Sequence, residues 1–133
     1  LMGDVADAVL SGGGKVTGVI PRALMDMGIG HLGATELFVV DDMHQRKAMM
    51  SREADAFVAL AGGYGTLEEL FEMVAWSQLG IHAKPVGLLN TAGYYDHLLK
   101  FLDSSVQAGF LHAPHRDLIK VADDPVALLD QLA

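Results

Sequence analysis

Five short apolar runs rich in β-branched residues alternate along this chain with segments of helical periodicity. The apolar runs cover residues 16–20, 37–40, 56–60, 86–89 and 118–121, and the helical patterns cover about 2–12, 43–54, 66–79, 94–108 and 125–132. Short, nearly continuous apolar strands are typical of strands that are buried on both faces. Strands that alternate with helices form βαβ units. The sequence therefore predicts an α/β fold with a parallel sheet flanked by helices.

Length, composition and charge restrict the class of protein. A chain of 133 residues with 51% hydrophobic residues predicts a single domain over 1–133. The absence of cysteine excludes disulfides, thiolate metal ligands and a cysteine nucleophile, and favours a cytoplasmic setting. No apolar run is long enough for a membrane span, so we expect no membrane partner. A net charge of -8 opposes nucleic-acid binding, whereas a small phosphorylated ligand remains compatible with it.

A glycine-rich turn joins the third predicted strand to the next helix, in the segment 60–69 with the sequence LAGGYGTLEE. Its glycines, Gly62, Gly63 and Gly65, permit positive φ and allow a ligand to approach the backbone. The helix that follows directs its free N–H groups and positive dipole end at the turn. Ligands of open α/β sheets bind at the carboxyl ends of strands, where this turn falls. We expect a phosphate-binding loop, with a ligand-free tight turn as the alternative.

The loop differs from a Walker A motif, because Gly65 is followed by Thr66 and Leu67 instead of Lys-Ser or Lys-Thr, so ATP hydrolysis is not expected. Thr66 and Glu69 have the spacing of a capping box at a helix start. Three carboxylates, those of Glu68, Glu69 and Glu72, exceed what capping requires. The excess predicts either a base in a pocket or a solvated acidic face.

A second polar segment, DDMHQRKAMM at 41–50, follows the second predicted strand. Asp41 or Asp42 is expected to cap the helix. Arg46 and Lys47 lie one turn into that helix, at the same edge of the sheet, and the arginine fork suits a phosphate or carboxylate. An ordinary solvated basic pair is the alternative. Met43 is expected in the core or as an apolar wall for a planar base.

The remaining polar and aromatic residues give weaker signals. The six histidines show no metal-binding spacing such as H-E-x-x-H, so no metal site is expected. No serine lies in a G-x-S-x-G elbow. Trp76 is expected to pack, and together with Gln78, His82 and Lys84 it has a second interpretation as the lining of a pocket or a subunit contact.

The segments MHQRK at 43–47 and GGYGTLEE at 62–69 strongly resemble the Lonely Guy family of cytokinin-nucleotide phosphoribohydrolases, and the resemblance extends over almost the whole chain. The family pattern P-G-G-x-G-T-x-x-E places its glutamate at Glu69, and the family's R-K pair falls on Arg46 and Lys47. Ala61 stands where the family motif has proline. Members also carry an earlier strand and glycine-rich loop, so the chain is expected to lack the family's first strand.

The resemblance implies a Rossmann-like, usually dimeric enzyme that cleaves the bond between an adenine-type base and ribose 5′-monophosphate without a cofactor. It implies catalytic roles for Arg46 and Glu69. A carboxylate at Glu69 suits an oxocarbenium-like transition state, as a nucleophile or by activating water. The implied phosphate- and substrate-binding residues are Met43, Lys47, Gly62, Gly63, Tyr64, Gly65 and Thr66.

Relatives often carry the label lysine decarboxylase, but nothing in this sequence marks a lysine that would bind pyridoxal phosphate. Two other functions remain open from the residues alone. One is a nucleotide-binding module without catalysis, and the other is an assembly element whose apolar helices mainly form a homodimer. The order of residues does not choose between cytokinin precursors and plain AMP as the substrate.

Overall fold

The computed structural model describes residues 1–133 and divides into two compact units, Leu1–Glu53 and Ala54–Ala133. Helices and parallel strands alternate in both units, which confirms the predicted α/β class. None of the helices has the length and apolar composition needed to cross a bilayer.

The first unit contains a two-stranded parallel sheet. Its elements are helix α1 (Met2–Ser11), strand β1 (Thr17–Pro21), helix α2 (Arg22–Asp26), strand β2 (Glu36–Val40) and helix α3 (Met43–Glu53). The strands pair in register from Thr17 opposite Glu36 to Pro21 opposite Val40. Helix α2 has only five residues, too few to produce a recognisable apolar period. For that reason the sequence did not predict it.

Strand β2 differs from the prediction that the strands are buried on both faces. Phe38 is 41% exposed and Val39 is 38% exposed. Their side chains point to opposite faces, because neighbouring residues alternate along a strand. Strand β2 pairs only with β1, so it is an edge strand in a sheet of two. The prediction is wrong for this strand, and also for one face of the third predicted strand, where Val58 is 44% exposed.

A polar network fixes the start of α3 as predicted. The Gln45 N–H donates to Asp42 Oδ1 at 2.8 Å, so Asp42 is the N-cap. In return, Gln45 Oε1 accepts from the Asp41 N–H at 3.1 Å. The network places the whole run 43–50 on the helix, with Arg46 and Lys47 in its first two turns.

The second unit contains a three-stranded parallel sheet in the order β3-β4-β5. Its elements are strand β3 (Phe57–Ala59), helix α4 (Tyr64–Gln78), strand β4 (Val86–Leu89), a 3₁₀ turn (Thr91–Gly93), helix α5 (Asp96–Gln107), helix α6 (Ala113–Arg116), strand β5 (Ile119–Ala122) and helix α7 (Pro125–Leu132). Phe57 lies opposite Val86, and Val86 lies opposite Ile119. The carboxyl ends of β3 and β4 therefore meet at one edge of the sheet.

The core of this unit lies around β4, whose Val86 and Leu88 are fully buried. Helix α4 contributes the buried Leu70 and Met73, and Trp76 packs against the same cluster. The structure thereby confirms the packing role of Trp76 and shows that α4 buries an apolar stripe. Burial of this stripe holds α4 rigidly on the sheet, and α4 carries the residues that follow the glycine-rich turn.

Candidate functional site

Helix α4 begins two residues earlier than the sequence predicts. Its first residue is Tyr64, and its N-cap is Gly63, which has no side chain to cap with. The capping-box interpretation of Thr66 and Glu69 is therefore wrong. Thr66 is the third residue of the helix, and Glu69 is the sixth and lies in the second turn. The Thr66 side chain instead packs against the backbone of Gly62.

None of the three glycines of the turn has positive φ, so the expected use of that conformation is absent. The glycines serve close packing and access to the backbone instead. A Cβ on Gly62 would lie 2.8 Å from the Cβ of Thr66, so no side chain fits there. A Cβ on Gly63 or Gly65 would meet nothing within 4 Å. The backbone at 63 and 65 is consequently open to a ligand.

Four successive N–H groups at the start of α4 have no partner within the chain. The first backbone hydrogen bond of the helix runs from the Leu67 N–H to the Gly63 carbonyl at 3.1 Å, which leaves the N–H groups of residues 63–66 without an acceptor. Such groups carry the positive end of the helix dipole. Their arrangement suits an anion with several oxygen atoms.

Two adjacent tyrosines hold the chain that leads into this turn, and we call them the tyrosine pair, Tyr94 and Tyr95. The Tyr95 hydroxyl donates to the Leu60 carbonyl at 2.6 Å. The Tyr94 hydroxyl donates to the Gly62 carbonyl at 2.8 Å. The two rings meet edge to face with their centroids 4.8 Å apart. Both residues follow strand β4, so the neighbouring strand supplies the support for the glycine-rich turn.

The segment that carries the tyrosine pair is itself fixed by hydrogen bonds. Asn90 Oδ1 accepts from the Tyr95 N–H at 2.7 Å, and Asn90 Nδ2 donates to Asp96 Oδ1 at 2.8 Å. Ala92 has φ 54°, an uncommon value for a residue with a side chain. Gly93 has φ 70°, and a Cβ there would lie 2.6 Å from Asp96 Oδ2. These constraints give the segment one conformation.

Burial sets the titration of Tyr95, which is 3% exposed. Burial, and secondarily the neighbouring Tyr94, raise the pKa of Tyr95 above its ordinary value of 10.0. The folded state therefore holds the Tyr95 proton more tightly than the unfolded state does. This contribution to stability is fully present below pH 10.0 and is lost as the pH rises through the folded-state pKa.

A pH titration of stability tests this assignment. We expect the difference in unfolding free energy between the native chain and Tyr95→Phe to shrink as the pH rises above 10.0, because phenylalanine has no proton to lose. Chemical denaturation from pH 7 to 11 measures the difference. A difference that stays constant over this range would contradict the raised pKa.

The acidic residues of α4 separate according to exposure. Glu68 is exposed, whereas Glu69 and Glu72 are partly buried. Thr66 and Glu69 are three residues apart, so their side chains lie on one face of the helix, about 4.5 Å apart along its axis. Of the two partly buried carboxylates, that of Glu69 is the nearer in sequence to the open N–H groups.

Arg46 and Lys47 are not an ordinary solvated pair. Lys47 is only 8% exposed, and Arg46 is partly buried with its Nε donating to the Val19 carbonyl at 3.1 Å. Burying two cationic side chains is costly unless they are held by partners, and both residues have such partners. Met43, at the start of the same helix, is 40% exposed and does not belong to the core.

His82 has a structural role at the other end of α4. Its Nε2 bonds to the Met73 carbonyl at 2.9 Å, and its Nδ1 accepts from the Lys84 N–H at 3.1 Å. These partners require the neutral imidazole with its proton on Nε2. His82 therefore ties α4 to the segment that enters β4.

A cavity of about 260 Å³ lies beside α4 in the second unit. Its lining includes Phe71, Val74 and Ala75 of the helix. By helical geometry these residues occupy the face opposite to Thr66 and Glu69, so the cavity is separate from the glycine-rich turn.

No cluster of three or more histidine, aspartate or glutamate side chains is suited to hold a metal ion.

Comparisons with known proteins agree on one family. The family model described as "Possible lysine decarboxylase" matches residues 2–132. A probable cytokinin riboside 5′-monophosphate phosphoribohydrolase of Oryza sativa subsp. japonica is 56% identical over 132 residues, which is 99% of this chain and 58% of the rice protein. Two cytokinin riboside 5′-monophosphate phosphoribohydrolases of Arabidopsis thaliana are 52% and 54% identical, again over 99% of this chain.

The chain spans 58% to 61% of the length of these three relatives. The aligned span of 132 residues takes in nearly the whole chain, and therefore both polar segments, 41–50 and 60–69. The expected resemblance is confirmed, and the chain belongs to the Lonely Guy family, whose family model bears the description of a possible lysine decarboxylase.

Proposed function

We propose that this chain carries the binding and catalytic residues of a nucleoside 5′-monophosphate phosphoribohydrolase. The reaction adds water across the N-glycosidic bond of an adenine-type nucleotide, such as a cytokinin riboside 5′-monophosphate, and yields the free base and ribose 5-phosphate. The observation that supports it most is the row of open N–H groups at 63–66 with the shielded carboxylate of Glu69 on the following turn of the same helix. The names of the relatives agree with this reaction.

The turn at 62–65 and Thr66 bind the 5′-phosphate in this proposal. The N–H groups of residues 63–66 and the Thr66 hydroxyl donate to the phosphate oxygens, and the helix dipole favours the negative charge. The exposed ring of Tyr64 stands beside them. Binding of the phosphate, which does not react, fixes the ribose and lowers the entropy cost of reaching the transition state.

Glu69 acts on the anomeric carbon. Breaking the N-glycosidic bond leaves positive charge on the ribose, and a nearby carboxylate stabilises the oxocarbenium-like transition state. Glu69 does so either as a nucleophile or by accepting a proton from the attacking water. The water oxygen ends on the anomeric carbon, and a proton ends on the base nitrogen that leaves.

Arg46, Lys47 and Met43 complete the proposal from α3. In this proposal Arg46 orients Glu69 or the substrate and helps the base to leave. Lys47 supports the binding of the anion. Met43 offers an apolar surface to the base. A charge-assisted bond from arginine is stronger than one between neutral groups. Full turnover by Arg46→Ala would show that the assigned role is wrong.

Product analysis tests the reaction directly. The chain is incubated with AMP, isopentenyl-AMP and the two corresponding nucleosides, and the products are separated by chromatography. We expect free base from the nucleotides and at least about tenfold less from the nucleosides, because losing the phosphate removes several charge-assisted hydrogen bonds. Calorimetric binding of AMP without release of base would instead favour a binding module.

The assembly state is part of the same proposal. The resemblance implies a homodimer in the cytoplasm, and light scattering at micromolar protein concentration measures the mass of the assembly. A monomeric mass under these conditions would exclude the homodimer.

A further inference from the structure

The tyrosine pair controls the direction of two peptide groups in the glycine-rich turn. In a planar trans peptide the carbonyl and the following N–H point in opposite directions. Tyr95 fixes the carbonyl of the 60–61 peptide, and Tyr94 fixes the carbonyl of the 62–63 peptide. The N–H of Gly63 therefore points away from Tyr94. It is the first of the four N–H groups that have no partner within the chain.

The exposure of Tyr94 indicates that its hydrogen bond serves more than the core. Tyr94 is 55% exposed, whereas Tyr95 is 3% exposed. A hydroxyl bond from a half-exposed ring competes with water and adds little net stability. The bond nevertheless joins residues 32 positions apart and ends on Gly62, the glycine that also accommodates Thr66.

We propose that Tyr94 and Tyr95 are positioning residues that hold the glycine-rich turn in the orientation in which it binds the phosphate of the substrate. This inference rests on the proposed function. The tyrosines do not touch the reacting atoms. They act through the carbonyls of Leu60 and Gly62, and so through the direction of the N–H groups that follow.

The role makes a selective prediction about ligands. Loss of either hydroxyl weakens ligands that carry the phosphate and leaves ligands that consist of the base alone unchanged. One hydrogen bond of this kind corresponds to about a three- to tenfold change in affinity. A tyrosine with a merely structural role would weaken both kinds of ligand together, or neither.

The experiment compares Tyr94→Phe and Tyr95→Phe with the native chain by steady-state kinetics. We expect KM for AMP and the inhibition constant of ribose 5-phosphate to rise about three- to tenfold, while the inhibition constant of adenine stays unchanged. Ser104→Ala is the matched control, because it removes another hydroxyl bond to a backbone carbonyl, from Ser104 Oγ to Phe101 O at 2.7 Å. It should leave all three constants unchanged.

Tyr94→Phe keeps the proposal testable if Tyr95→Phe does not fold, since its exposed ring contributes little to the core. Equal weakening of adenine and ribose 5-phosphate, or unchanged constants in Tyr94→Phe, would overturn the proposal.

A titration with inorganic phosphate separates this proposal from the proposed reaction. The amide NMR signals of residues 62–66 are expected to shift on phosphate addition, with a weaker apparent affinity in Tyr94→Phe than in the native chain. A weaker phosphate affinity in Tyr94→Phe, found together with no release of base by the native chain, would refute the reaction and support the positioning role. Equal affinity in both proteins would refute the positioning role, whatever the outcome for the reaction.

Discussion

Glu69→Gln is expected to lower kcat for AMP hydrolysis by about 10²- to 10⁴-fold, the range for loss of a group that transfers a proton or stabilises charge in the transition state. The substitution keeps the size of the side chain and removes its negative charge. KM is expected to change little, because the proposed site binds the phosphate at the turn and not through Glu69. Initial rates of adenine release over a range of AMP concentrations give both constants.

Glu68→Gln is the matched control for Glu69. It removes the same charge one position earlier on α4, from a side chain that is exposed. We expect its kcat to stay within about twofold of the native value, since position 68 lies on a different face of α4 from Thr66 and Glu69 and exposed substitutions have small effects. Equal losses in the two variants would indicate a general effect of charge on α4 and would contradict the assigned role of Glu69.

The two glycines Gly62 and Gly65 are expected to respond oppositely in stability and alike in activity. In Gly62→Ala the new methyl group overlaps the Thr66 side chain, so we expect a loss of about 1–3 kcal/mol in unfolding free energy. In Gly65→Ala the methyl group meets no atom within 4 Å, and alanine favours the helix. We expect this variant to gain about 0.4–1 kcal/mol. Both are expected to raise KM for AMP by about tenfold or more.

The reason for the shared loss of activity differs between the two variants. We expect Gly62→Ala to displace Thr66, one of the proposed phosphate donors, and Gly65→Ala to fill the space that the proposed ligand would occupy. Urea unfolding gives the stabilities, and steady-state kinetics give KM. A stabilised Gly65→Ala with unchanged KM would show that the phosphate does not approach the backbone at 65. A Gly62→Ala that is as stable as the native chain would show that Thr66 moves aside easily.

Local patterns predicted most of the fold. The ten predicted elements appear within about two residues of their expected bounds, because apolar period, caps and glycine stops act over a few neighbouring residues. Asp42 caps α3 as predicted. The start of α4 was predicted incorrectly, because Thr66 and Glu69 satisfy the spacing of a capping box while Thr66 makes a contact with Gly62 that no spacing rule reveals.

The support of the candidate site depends on distant contacts that the sequence does not display. Tyr94 and Tyr95 reach carbonyls 32 and 35 residues away. Their partners are backbone atoms, and a backbone acceptor has no side-chain identity to recognise. The GYY run at 93–95 contains no pattern that predicts these acceptors. The adjacency of β3 and β4 in the sheet, once known, is the signal that brings the two segments together.

Anchoring of α4 by His82 has a consequence for inherited variation and for engineering. The helix is held through the carbonyl of Met73, the tenth of its 15 residues, and Glu69 lies about one turn before that attachment. We expect a substitution at 82 to loosen the join to β4 and, through α4, to displace Glu69 of the proposed site as well. A change at a residue outside the proposed site is therefore expected to alter the proposed activity and the thermal stability of the chain together.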